Sequence, residues 1–77
     1  MKRIQILDAD CPAGRTLAQL VEAAVQQLGL DARIELVSDM DVITSYQVMA
    51  TPALVVDGEV RLVGRLPPVE EIRQLLQ

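Results

Sequence analysis

The chain has 77 residues, 51% of them apolar, and a formal net charge of −4. That length admits one domain, and a single cysteine excludes an intrachain disulfide. Apart from the Lys2-Arg3 pair, the basic residues are scattered singly, which argues against a nucleic-acid surface, and one cysteine without any histidine argues against a structural zinc site built from this chain. No apolar run approaches membrane-spanning length, and Met1-Lys2-Arg3 leads straight into a short apolar stretch rather than a signal-peptide core. The expected setting is a reducing cytoplasm, with neither membrane nor nucleic acid as partner. With one Tyr and no Phe or Trp, the core must be built from Leu, Ile, Val and Ala.

Lys2 to Leu7 reads as a first strand, in which Ile4, Ile6 and Leu7 are apolar. Asp8-Ala9-Asp10 follows as a polar turn. A long helix comes next, with Pro12 in the favoured first position. Leu17, Leu20, Val21, Ala24, Val25 and Leu28 fall on one face at helical spacing, and Gly29 stands just past the last turn.

Ala32 to Val37 reads as a second strand, with Ile34, Leu36 and Val37 facing a core. Ser38-Asp39-Met40-Asp41 has capping-box spacing and opens a short helix from Asp39 to Tyr46, with Met40, Ile43 and Tyr46 as its apolar stripe. Pro52 precedes the apolar strand Ala53-Leu54-Val55-Val56. Asp57-Gly58 is a type I′ hairpin signal, Glu59 to Val63 returns as a fourth strand, and Gly64 stops it. Pro67-Pro68 opens a last helix whose first turn carries Glu70 and Glu71, as the helix dipole favours; Val69, Ile72, Leu75 and Leu76 cover the sheet. The order β-α-β-α-β-β-α predicts an α/β layer, with parallel pairing in the first half and a hairpin in the second.

Cys11 falls between the first strand and the first helix. As the cap of that helix, its sulfur would lie near the N–H groups of Ala13 and Gly14, which favour the thiolate over the thiol. Asp8 and Asp10 oppose that effect and Arg15 offsets part of their charge. Each feature also has a plainer explanation. A lone cysteine is often an inert apolar residue, and Met40 and Met49 fit as core filler or rim. Asp8 and Asp10 suit turn chemistry, and Arg15 and Arg65 suit solvated surface charge.

Ile4-Gln5-Ile6-Leu7, Cys11-Pro12, Val48 to Gly58 and Glu70-Glu71-Ile72, in this element order, resemble the thioredoxin fold. More narrowly, they are similar to small prokaryotic thioredoxin-like, glutaredoxin-like redox proteins. The resemblance covers nearly the whole chain, and Thr51-Pro52-Ala53-Leu54-Val55 is its most specific part. It implies a mixed sheet of four strands with helices on both faces, and a cis Thr51-Pro52 bond whose loop lies against the active cysteine and offers backbone groups to an extended partner.

The Cys-x-x-Cys motif of that family would place a second cysteine at position 14, where this chain has Gly14. Its topology gathers Cys11, Thr51, Pro52, Gly64 and Arg65 at one sheet edge, with Pro12, Ala13, Gly14 and Arg15 beside them; there Arg65 is a candidate to meet a carboxylate of glutathione or a partner protein. Two functions follow. One is a single-thiol redox protein that forms a mixed disulfide with a protein or with glutathione as co-substrate, is resolved by a thiol from another molecule, and needs no cofactor. The other is a binding module of the same fold without electron transfer. A disulfide or an iron–sulfur cluster shared between two chains through Cys11 is a third arrangement, although Cys-Pro-Ala-Gly is not the Cys-Gly-Phe-Ser motif of cluster-binding glutaredoxins.

Overall fold

The computed structural model describes residues 1–9 and 12–77. Among them the element order is β1 (Lys2–Leu7), α1 (Pro12–Leu28), β2 (Ala32–Val37), α2 (Met40–Ser45), β3 (Ala53–Val56), β4 (Glu59–Val63) and α3 (Val69–Leu76). The sheet order is β2-β1-β3-β4, with β2 parallel to β1 and the other neighbours antiparallel. This is the minimal thioredoxin-fold layout implied by the resemblance. None of the described helices is long and apolar enough to cross a membrane.

Alternation along β1 and β3 builds two apolar layers, because successive strand side chains point to opposite faces. Ile4, Ile6, Leu54 and Val56 pack with Leu17, Ala18, Val21 and Ala24 of α1 and with Ile72 and Leu76 of α3. Leu7, Ala53 and Val55 face the other way and pack with Ile43 of α2. Gln5 lies on that second face and is only 6% exposed. The Tyr46 hydroxyl donates to Gln5 Oε1 at 2.7 Å, which satisfies a buried polar group.

The helix ends follow local chemistry. Gly29 takes φ 64 beyond α1. Its N–H donates to the Gln26 carbonyl and the Leu30 N–H to the Val25 carbonyl, the paired bonds of a Schellman motif. At α2 the expectation needs correction: the cap is Asp39 rather than Ser38, and its Oδ1 accepts from the Asp41 N–H at 2.9 Å. That frame turns Met40 outward, 58% exposed, so Ile43 and Tyr46 alone carry the stripe. Leu36 is likewise 48% exposed rather than core, because β2 is an edge strand. Met49 is exposed and fills no core space.

The hairpin turn has φ 50 at Asp57 and 84 at Gly58, both positive as type I′ requires. Asp57 also fastens the turn to the start of β1. Its Oδ1 accepts from the Arg3 N–H at 2.9 Å and its Oδ2 lies 3.6 Å from Lys2 Nζ. The Arg3 backbone hydrogen bond, helped by the Lys2 charge, holds the Asp57 carboxyl below its ordinary value of 3.8.

A carboxyl whose pKa is lower folded than unfolded adds stability above the unfolded value and loses it as the pH falls through the folded one. Wild type is therefore expected to lose stability below about pH 4 more steeply than Asp57→Asn, which keeps the turn but cannot titrate. Urea midpoints measured across that range for both proteins check this.

Candidate functional site

Strand register decides which loops meet. Leu7, the last residue of β1, pairs with Ala53, the first of β3, and Ala53 pairs with Val63, the last of β4. The exit of β1, the Thr51-Pro52 approach to β3 and the Gly64-Arg65 exit of β4 therefore share one sheet edge.

The Thr51-Pro52 peptide bond is cis, with Pro52 buried and Thr51 half-buried. The Gly64 N–H donates to the Pro52 carbonyl at 2.8 Å. Among the described residues no backbone hydrogen bond outside helices and strands involves Thr51. Gly64 has φ 75, and a Cβ on it would lie 3.1 Å from Ala50 Cβ. Left-handed backbone and a close neighbour thus both select glycine there. Met49, Ala50, Val63 and Leu66 are exposed, adding apolar surface along the chain on either side of this contact.

The start of α1 lies against the exit of β1, where Gly14 meets Asp8. Pro12 is its first residue and is exposed, Ala13 is half-buried, Gly14 is buried, and Arg15 is exposed. Asp8 continues the β1–β2 ladder one step beyond Leu7, its N–H donating to the Val37 carbonyl at 2.9 Å. Its side chain is only 5% exposed and lies against Gly14. A Cβ on Gly14 would fall 2.2 Å from Asp8 Cβ. Asp8 is thus more than the turn residue that its setting suggested. A glycine within a helical pattern that has no conformational need of it is the sequence signal for such an approach.

Arg65 meets a carboxylate within its own chain. It forms a two-pronged ion pair with Glu71 of α3, Nη1 reaching Oε1 at 3.3 Å and Nη2 closing on Oε2. The Glu71 hydrogen bonds raise the guanidinium pKa further above its ordinary value. An incoming carboxylate must compete with Glu71. Asp10 and Cys11, and with them the sulfur position expected near Ala13 and Gly14, lie outside the described residues.

A family model described as "Thioredoxin domain" matches residues 2–77. The chain is 38% identical over 76 residues to a protein named thioredoxin from Methanothermobacter thermautotrophicus, covering 99% of both chains. It is 35% identical over 74 residues to another named thioredoxin from Methanocaldococcus jannaschii, covering 96% of this chain and 85% of that one.

Gly64→Ala tests the edge geometry. It is expected to destabilise the fold by about 1–2 kcal/mol, the usual penalty for an L-residue in left-handed backbone, with the Ala50 contact adding to it. Equilibrium unfolding measures the loss.

Proposed function

Because the chain belongs to the thioredoxin family, we propose that it is a thiol–disulfide redox protein working through Cys11 alone. The Cys11 thiolate attacks one sulfur of a disulfide and forms a mixed disulfide, while the other sulfur leaves as a thiolate. A thiol from a second molecule then attacks the mixed disulfide, forms a new disulfide with the bound group and returns Cys11 to its thiolate. Position 14 is glycine, so the chain supplies no resolving sulfur of its own. Protein disulfides are the substrates of this reading. Glutathione is the co-substrate, and a reducing cytoplasm is where it would be kept reduced.

The observation that carries the reading is one sheet edge. The only cysteine of the chain falls between β1 and α1, and the β1 exit shares its edge with the cis Thr51-Pro52 bend. Thr51 is the backbone position that a partner's extended segment would pair with, and the neighbouring Met49, Ala50, Val63 and Leu66 supply apolar contact for it. Pro12, Ala13 and Gly14 form the first turn of α1, directly after Cys11 in the chain. Arg15 and Arg65 are the nearby cations, and Arg65 would reach a glutathione or partner carboxylate by exchanging it for Glu71.

The crowding of Gly14 by Asp8 also fits a second reading, in which the same edge holds an extended segment and no electrons move. Alkylation rate against pH, with turnover of a mixed disulfide in excess glutathione, separates the two. The redox reading expects a thiol more acidic than an ordinary cysteine and turnover that Cys11→Ser abolishes; an ordinary titration without turnover leaves the binding module. Within the redox reading, Arg65→Ala is expected to slow mixed-disulfide formation with glutathione, and an unchanged rate removes Arg65 from the site.

A further inference from the structure

We infer that Asp8 and Gly14 form one packing unit, and that Asp8 is the residue that keeps position 14 free of any side chain and so confines the protein to one thiol. Asp8 is 5% exposed at the exit of β1. A Cβ on Gly14 would lie 2.2 Å from its Cβ and 3.2 Å from its Cγ and Oδ2. The first of these distances decides the matter. A Cβ is bonded to the backbone and cannot swing aside by changing rotamer, as the end of a long side chain does. Any side chain at position 14 must therefore push the start of α1 away from β1. The carboxyl group is not the main obstacle, and trimming Asp8 to Ala leaves the clashing atom in place. Removing it requires glycine at position 8.

The consequence reaches the chemistry. In the thioredoxin family pattern the second thiol belongs at position 14, and this chain cannot regain it by one substitution. Asp8 is thus a specificity-determining residue that acts through packing: it selects external resolution of the mixed disulfide over internal resolution. That consequence rests on the proposed role of Cys11, whereas the packing unit does not.

Four proteins test the packing: wild type, Gly14→Ala, Asp8→Gly and the double variant. Ala in a helix ordinarily favours folding about fivefold over Gly, so the sign of the effect is diagnostic. In wild type Gly14→Ala is expected to destabilise. In the Asp8→Gly background the same substitution should recover about tenfold or more in the unfolding equilibrium constant. If Gly14→Ala fails to fold and the double variant folds, the inference stands. An equal effect in both backgrounds, a stabilised Gly14→Ala, or two proteins that both fail to fold would overturn it.

A chemical arm uses Gly14→Cys alone, with Asp8→Ala and with Asp8→Gly. Oxidised dithiothreitol takes two electrons and two protons from a closing thiol pair and is itself reduced. The Asp8→Gly pair is expected to close, read as loss of both alkylatable thiols in the monomer, while the other two keep theirs. Closure by Gly14→Cys alone, as readily as in the pair, overturns the inference. Failure of the Asp8→Gly pair to close, with the packing cycle positive, counts against the placement of Cys11 and so against the proposed function, and leaves the packing unit intact.

Discussion

The antiparallel register of β1 on β3 is the constraint from which the site follows. Leu7 opposite Ala53 fixes where β1 ends relative to the cis Thr51-Pro52 bend. Ala53 opposite Val63 brings Gly64 within hydrogen-bond distance of Pro52. A shift of one residue would turn Ile4 and Ile6 away from α1 and Leu7 away from α2, since strand side chains alternate. Both faces of β1 and β3 are buried, so a slip is opposed on two sides at once. Each buried Leu or Ile contributes about 1.5–3 kcal/mol, and Ile4, Ile6, Leu7 and Leu54 are all fully buried. The loops that form the candidate site are therefore positioned by the core and not by their own contacts alone.

At that edge Asp8 and Gly14 crowd each other. Gly14 is buried at the start of α1, and Asp8 fills the space beside it. Glycine in the first turn of a long helix forgoes helix propensity, and a carboxylate at the end of an apolar strand forgoes solvent. Their close approach explains the glycine.

The rim adds a second departure from expectation. Arg65 was the natural cation to grip a carboxylate, yet Glu71 already holds it. Glu71 also serves the first turn of α3, where negative charge suits the helix dipole. One carboxylate thus links the exit of β4 to the start of α3.

Periodicity, turn chemistry and the order of elements were legible in the residues themselves. The two-fold alternation of β1, the 3.6-residue stripe of α1, the Asp57-Gly58 turn and the Thr51-Pro52 signature are local patterns, and local patterns carry element type and, through the connection rules, topology. Local pattern is insufficient where a residue's fate depends on what lies across from it. Leu36 has an apolar side chain but an edge-strand address; Met40 was displaced by a cap one residue later than its spacing suggested. The Asp8 side chain, six residues from Gly14 in the chain, meets it only because α1 folds back against the end of β1, and the Arg65–Glu71 pair likewise joins the exit of β4 to the first turn of α3. By itself the sequence determined the elements, their order and the family, because these rest on patterns a few residues long. Tertiary structure alone decided which side chains crowd the site and which charges are already taken, because steric exclusion and ion pairing depend on distances between segments that no spacing along the chain encodes.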